Sequence, residues 1–480
     1  MLLRCEKAFL PSTRCITCQT SSRNVHNYAS PGKYSLPDST VLAPAPPSKP
    51  KSPPLAVLPL GSIIRSLAIL SISSSTILLG PSLAVMSTLA HSKSSILSPD
   101  ANAVLRFFLK KTFYQQFCAG ENAAEVKRTV DELKNIGYKG VILGYAREVS
   151  LDEKQQKDLA SRGESEAAEA ALQNEILPWA KGTLETVKLA TPDDFVALKF
   201  TGAGSQALYA LTHQQDPSPA LKDAIDSICD LAVSRGVRLL FDAEQSALQP
   251  GVDAWTLEYM RRYNKQEPGK AVIYGTYQAY LKAVPSVLAS HLAAARQEGF
   301  TLGVKLVRGA YLGSDPRHLI HDTKADTDRA YDSIAESLAL RSYGPILQPA
   351  ASETDQEFPS VNVVLAGHNQ NSVRKIQAIR SAQAAKGEPQ INLVYAQLQG
   401  MADDVSCELV QAGKVTEGEK TQVYRPQAYK YLVWGTTGEC MKYLLRRAQE
   451  NKDAVQRTKE GRNAMARELV RRLRKAVGMV

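Results

Sequence analysis

An α/β fold of repeated strand and helix units is predicted by three features of the 480-residue chain. From residue 125 onward short apolar runs alternate with helical patterns, the rhythm of strands joined by crossover helices. Eight such runs occur, at 139–145, 196–201, 237–242, 271–276, 302–307, 361–366, 391–396 and 430–434. Polar and charged residues recur at their ends. Eight parallel strands make a closed barrel the natural arrangement, although periodicity alone leaves an open, doubly wound sheet as an alternative.

The N-terminal fifth stands apart by charge. The chain has 58 Lys and Arg against 48 Asp and Glu, a net charge of +10. Residues 1–99 carry nine of the cations and only Glu6 and Asp38, so they supply +7 and leave +3 for the other 381 residues. Nucleic-acid binding would need a basic stripe on the folded part, which this distribution does not provide, so no nucleic-acid partner is expected. Arg4, Arg14 and Arg23 among many Ser and Thr have the composition of a mitochondrial transit peptide. Residues 31–54, rich in Pro and Ser, read as a disordered linker. The expected organisation is a transit peptide and disordered linker at 1–60, an N-terminal helical segment at 61–120, a catalytic barrel at 121–455 and a basic helix at 456–480.

Ser66 to Ala90 is uncharged over 25 residues, long enough to span a bilayer, but nine of them are Ser or Thr and Pro81 interrupts the run. A buried or membrane-surface helix is therefore expected rather than a span. Seven cysteines scattered over the chain do not form a disulfide framework, and Cys15 and Cys18, at redox-motif spacing, fall in the leader. Cys118, Cys229, Cys407 and Cys440 are expected to be reduced thiols.

Further along, helices are predicted at 122–136, 219–235, 252–264, 285–298 and 323–341. The charged, Ala-rich stretch 151–175 reads as an exposed helical insertion, and 344–360, with Pro345, Pro349 and Pro359, as a variable loop. Neither is expected to carry chemistry. The last strand runs into a helix whose Met441, Leu444, Leu445 and Ala448 are apolar at three- and four-residue spacings, with Thr436, Thr437 and Gly438 at its start. Arg446 and Arg447 share one turn of that helix, and Glu450 lies within a turn of both. Guanidinium is planar, always charged and able to fork two donors onto one carboxylate, so the pair suits the headgroup of an amino acid. An RRxxE on a solvated helix would be an ordinary ion pair; four other motifs change that weighting.

These are ALKFTGAG at 197–204, LFDAEQ at 240–245, KLVRGAYL at 305–312 and GHNQNSV at 367–373. Together with YLxRRxxEN at the end of the last helix, and in this order, they resemble proline dehydrogenase, over about residues 107–451. The resemblance implies a distorted (β/α)8 TIM-type barrel, FAD as cofactor and L-proline as substrate. It also implies oxidation of proline to 1-pyrroline-5-carboxylate, with electrons passed to a quinone at the matrix side of the inner mitochondrial membrane through peripheral association. By resemblance Arg446 and Arg447 bind the proline carboxylate, Lys199 and Asp242 lie at the pocket floor, and Tyr311 and Tyr431 flank the pyrrolidine ring. Ala243, Gln278, Arg308, Gly309, Ala310, His368 and Asn369 surround the FAD. Lys305 lies beside its isoalloxazine ring, and Glu450 near the flavin.

Two departures from the family pattern stand out. Many bacterial members read RLVKGAY where this chain reads KLVRGAY, which exchanges two cations, and the first strand ends LGY at 143–145 where others have LDY. The main rival is a hydroxyproline dehydrogenase of the same fold. Tyr431 favours proline, since an aromatic packed on the far ring carbon leaves little room for a hydroxyl. A barrel flavoenzyme such as methylenetetrahydrofolate reductase, and a catalytically silent barrel scaffold, are the remaining readings. His318 and His321 have a metal-compatible spacing without a third ligand, so no metal is expected. TGAGS at 201–205 lacks the third glycine of a nucleotide fingerprint and reads as a tight turn.

Overall fold

A computed structural model describes residues 53–92, 94–147, 166–350, 357–414, 423–450 and 455–478. The expected transit peptide, most of the linker, Cys15, Cys18 and most of the 151–175 insertion lie outside the described residues. The N-terminal segment contains α1 (Leu60–Ser73), α2 (Thr76–His91) and α3 (Ala103–Leu109). Alternation then begins with α4 (Ala123–Ile136), β1 (Gly140–Tyr145), α5 (Leu177–Leu189), β2 (Phe195–Leu198), α6 (Ser205–Thr212), α7 (Pro219–Ser234), β3 (Arg238–Phe241) and α8 (Gln249–Tyr263). It continues with β4 (Ile273–Gln278), α9 (Val284–Glu298), β5 (Leu302–Val307), α10 (Lys324–Leu340), β6 (Val361–Ala366) and α11 (Gln370–Ala385). The last elements are β7 (Leu393–Leu398), α12 (Asp403–Gly413), β8 (Ala428–Trp434), α13 (Thr437–Glu450) and α14 (Val455–Ala476).

The eight strands pair in sequence order, all parallel, and β1 pairs with β8 from Gly140↔Tyr429 to Tyr145↔Trp434. That pairing closes the barrel and excludes the open sheet. Alternation along each strand divides two cores. Ile142, Phe195, Leu240, Tyr274, Val364, Val394 and Tyr429 fill the interior, while Val141, Val196, Leu239, Ile273, Val363 and Tyr395 face the surrounding helices. With both faces buried, the strands read as nearly continuous apolar runs. Near the strand starts, the Arg238 guanidinium lies 3.7 Å from the centre of the Phe195 ring and donates to the Tyr429 hydroxyl at 3.0 Å, which plugs that end.

Strand edges moved by a few residues. The fourth strand starts at Ile273 instead of 271 because the Asn264 side chain takes up neighbouring backbone groups: its Oδ1 accepts from the N–H of Val272 and Ile273, and its Nδ2 donates to the Ile273 carbonyl. At its other end β4 runs on to Gln278, which is its last residue rather than a loop residue. The second strand stops at Leu198, where Phe200–Ala203 turn into a 3-10 helix and the Trp179 indole donates to the Lys199 carbonyl at 3.0 Å.

The uncharged stretch at 66–90 forms parts of two helices bent by 99°, and no single described helix is long and apolar enough to cross a membrane. Ser75 caps α2 by accepting from the Leu78 N–H. One face of α2, through Leu83, Met86 and Leu89, packs on Met441 and Leu445 of α13. Ile63, Leu67 and Leu70 of α1 share a second cluster with Met465 of α14. Between α3 and α4, Cys118 bridges Val433 in parallel, the Ala119 N–H donates to the Val433 carbonyl at 2.8 Å, and the Gly435 N–H donates to the Gly120 carbonyl at 3.2 Å. Gly120 has to be glycine at this crossing, because a Cβ would lie 2.5 Å from Glu125 Cβ at a φ of +157°.

Candidate active site

At the C-terminal ends of the strands the inward positions change from apolar to polar. Lys199 follows β2, Asp242 follows β3, Gln278 ends β4, Lys305 lies in β5 and Tyr431 in β8. The ladder holds them at one level, since Phe241 pairs with Gly275 and Thr276 with Lys305. Lys305 forms an ion pair with Asp242 Oδ1, both residues being only 6% exposed. The other carboxylate oxygen, Oδ2, accepts from the Tyr431 hydroxyl at 3.0 Å, and the Lys305 ammonium lies 5.2 Å from the centre of the Tyr431 ring. Burial drives the Lys305 pKa down; the Asp242 charge opposes this, and repulsion from Lys199 and Arg447 adds to it. Four charged side chains therefore share the mouth of the barrel.

The last strand delivers the arginines. After β8 the chain turns at Gly435, and α13 packs across the mouth with Cys440 and Leu444 buried against Val433 and Ala146 on one side, while Met441 and Leu445 are buried under α2 on the other. The Arg446 guanidinium lies 5.9 Å from the Tyr311 ring centre and 6.0 Å from that of Tyr443. Arg447 lies 5.5 Å from Tyr443. Aromatic faces at these distances favour a cation and limit where it can swing. Glu450 ends α13, and its side chain lies outside the described residues.

A second group of residues lines the rim from β3 to β6. Gln278 uses both ends of its amide: Oε1 accepts from the Ala310 N–H at 2.9 Å, and Nε2 donates to the Glu244 carbonyl at 3.2 Å. The Ala243 carbonyl accepts from the Tyr311 hydroxyl at 3.2 Å. Gly309 lies against the Tyr280 ring, where an added Cβ would approach to 2.5 Å. Arg308 is held by Asp328 at 2.8 Å, by Ser372 Oγ at 2.7 Å and by the Tyr331 ring at 4.2 Å. His368 accepts from the Leu398 N–H through Nε2 at 3.2 Å, and Asn369 caps α11 through Oδ1. All the residues expected at the site thus lie along one rim, apart from the undescribed Glu450 side chain.

The LGY departure has a structural counterpart. A Cβ on Gly144 would lie 3.1 Å from the Tyr431 hydroxyl oxygen, so the tyrosine occupies the space into which a side chain there would project. Three residues of the site escaped the sequence reading. Tyr443, 6% exposed, faces both arginines, and its place one helical turn before Arg446 was the available signal. Glu244, 3% exposed, accepts from Thr201 Oγ1 at 2.9 Å and from the Tyr311 hydroxyl at 3.1 Å. Thr276, 6% exposed, has a buried hydroxyl with no hydrogen-bond partner among the described residues. Nothing in the local sequence marks Thr276, since its significance comes from the neighbouring strand.

A closed parallel barrel with the buried Lys305–Asp242 ion pair and two aromatic-backed arginines at its C-terminal rim defines a barrel enzyme suited to a small amino-acid carboxylate. The comparisons make that class specific. A sequence profile of the proline dehydrogenase family matches residues 126–460. The protein named probable mitochondrial proline dehydrogenase of Schizosaccharomyces pombe is 31% identical over 408 residues, covering 76% of this chain and 80% of that one. The human hydroxyproline dehydrogenase is 28% identical over 398 residues, covering 76% and 82%. Among solved structures, proline utilization A from Bdellovibrio bacteriovorus, inactivated by N-propargylglycine, superposes with a TM-score of 0.57 at 17% identity over 80% of this chain; the chain spans 38% of its length. This chain belongs to the proline dehydrogenase family.

Proposed function

We infer that the protein oxidises L-proline to 1-pyrroline-5-carboxylate with FAD as its redox group. The observation that carries this reading is the pairing of Arg446 and Arg447, set against Tyr311 and Tyr443, with the Lys305–Asp242–Tyr431 cluster at the barrel mouth. The residues fit a flavin: the buried Thr276 hydroxyl and Arg308 Nη1 lack hydrogen-bond partners among the described residues, Gln278 and the 308–310 backbone form one rim, and Lys305 supplies a buried cation. Ala243, His368, Asn369 and Glu450 complete that assignment. When bound, FAD supplies the acceptor for the hydride leaving the ring carbon beside nitrogen.

The chain's own residues bind, orient and tune. The two guanidiniums fork onto the carboxylate and fix one end of the substrate, while Tyr431 and Tyr311 fix the ring between them. The amine must be neutral before hydride can leave. The density of positive charge from Lys199, Lys305, Arg446 and Arg447 favours the neutral form, and release of the nitrogen's second proton completes the imine. Lys305 beside the flavin would offset negative charge that develops on reduction.

Relatives carrying mitochondrial in their names support a mitochondrial location, and the matrix side of the inner membrane is the proposed address. Ile77, Leu78 and Val85 of α2, exposed at 81, 48 and 59%, together with Phe107 and Phe108 of α3, support peripheral contact with that membrane, where a quinone would take the electrons.

The test is an anaerobic titration of the purified full chain with L-proline, following flavin absorbance, beside Arg446→Ala. Bleaching in the parent and its loss in the variant is the expected result. Bound flavin that ignores proline but bleaches with hydroxyproline would transfer the assignment to the hydroxyproline enzyme, and absence of flavin would return the chain to the scaffold reading.

A further inference from the structure

We propose that Glu244 is a positioning residue for substrate recognition, holding the Tyr311 ring in place against Arg446; this rests on the reading of the barrel mouth as a proline site. Glu244 is 3% exposed, and its carboxylate is divided between two strand ends. Oε1 accepts from the N–H of Thr201 at 3.3 Å and from its hydroxyl at 2.9 Å, both just beyond β2. Oε2 accepts from the Tyr311 hydroxyl at 3.1 Å, beyond β5. The backbone of Glu244 is fixed as well, because its N–H donates to Gln249 Oε1 at 2.9 Å and its carbonyl accepts from Gln278 Nε2. Each of these described side-chain contacts comes from a donor, which suits oxygens that accept.

Tyr311 is held from two directions. Its backbone follows Ala310, whose N–H is tied to Gln278, and its hydroxyl end is shared between Glu244 and the Ala243 carbonyl. The ring between those anchors is the one that faces the Arg446 guanidinium at 5.9 Å. A connection therefore runs from the β2 end through Glu244 and Tyr311 to the clamp.

The carboxylate-to-amide change separates position from charge. Glu244→Gln can keep its oxygen toward Thr201 and donate its amide to the Tyr311 oxygen, while the Tyr311 proton goes to the Ala243 carbonyl. Glu244→Ala leaves the two Thr201 donors buried without their acceptor and releases one anchor of the ring. A positioning role therefore predicts that Gln rescues what Ala loses.

The test measures binding of the ring-oxygen analogue of proline, which keeps the carboxylate but cannot form the imine, to the flavin-loaded full chain by calorimetry, with steady-state proline kinetics alongside. Glu244→Ala should bind about tenfold more weakly and raise KM by a similar factor with kcat within about twofold, while Glu244→Gln stays within about threefold of the parent. In a Tyr311→Phe background, Glu244→Ala should add no more than about twofold, since the coupled contact is already gone. Parent-like binding by Glu244→Ala, equal losses in Ala and Gln, or independent effects of the Glu244 and Tyr311 changes would each overturn the proposal. Should Glu244→Ala not fold, Glu244→Asp, with its acceptor one carbon short, takes its place and is expected between the parent and the tenfold loss, with parent-like binding again overturning the proposal. Failure of the parent to bind either proline or the analogue would instead remove the proline reading, and the proposal with it.

Discussion

The Tyr431 hydroxyl donates to Asp242 Oδ2 across 3.0 Å, joining the last strand of the barrel to the end of the third. Its position depends on Gly144, whose lack of a side chain leaves room for that oxygen. The aromatic ring is thereby fixed as a wall instead of being free to retract. Tyr431→Ser removes the wall and opens space for a ring hydroxyl. The expected outcome is a higher ratio of kcat/KM for hydroxyproline over proline, and an unchanged ratio would remove Tyr431 as the discriminator.

Arg446→Lys keeps the charge but loses the forked pair of donors. Each charge-assisted hydrogen bond contributes about 1.5–3 kcal/mol, so kcat/KM for proline should fall about ten- to a hundredfold. Steady-state kinetics on the flavin-loaded variant provide the check; parent-like values would mean that a point charge suffices.

Asp242→Ala tests the buried ion pair through pH. Burial holds Lys305 below the ordinary lysine value of 10.5, with Asp242 opposing the shift. Between the folded and unfolded values the unfolded chain binds more protons, so stability rises with pH in that window and the full penalty is present below it. Removing Asp242 lowers the folded value further and extends the window toward neutrality. The variant should lose about 3–5 kcal/mol near neutral pH and recover part of the loss relative to the parent as pH approaches about 10. Thermal unfolding across that range measures it, and a deficit constant in pH would contradict the assignment.

Deleting residues 1–95 strips α1 and α2 from the outside of α13 and α14. Met441 and Leu445, 2 and 4% exposed, would lose their cover, at a cost of about 1.5–3 kcal/mol for each fully uncovered side chain. The shortened protein should melt lower and show a raised KM for proline, because the uncovered helix carries the arginines. An unchanged KM would show that α13 holds its geometry from the barrel side alone.

Much of this architecture is legible in the chain because strand runs, crossover helices and the residues after each strand follow local rules. β5 and β6 match their expected limits of 302–307 and 361–366. The shifted strands are those whose edges are set by partners remote in sequence, as Asn264 does for β4. The site divides similarly. Arg446, Lys305 and Asp242 announce themselves by charge next to apolar runs. Glu244, Thr276 and Tyr443 acquire meaning only when strand ends or helix turns are side by side, and the packing of α2 on α13 joins segments more than 350 positions apart, which no local pattern encodes.

The pairing of β1 with β8 also bears on how the molecule is made. Tyr145 meets Trp434 across almost 290 intervening positions, so closure brings together distant parts of the chain and pays a loop-closure entropy that neighbouring strand pairs do not. During vectorial synthesis the arginine helix emerges after all eight strands, and α2 cannot find its seat until it does, nor α1 until α14 follows. Segments made first are thus the ones left longest without partners, and the period before closure is when the nascent chain has most need of a chaperone.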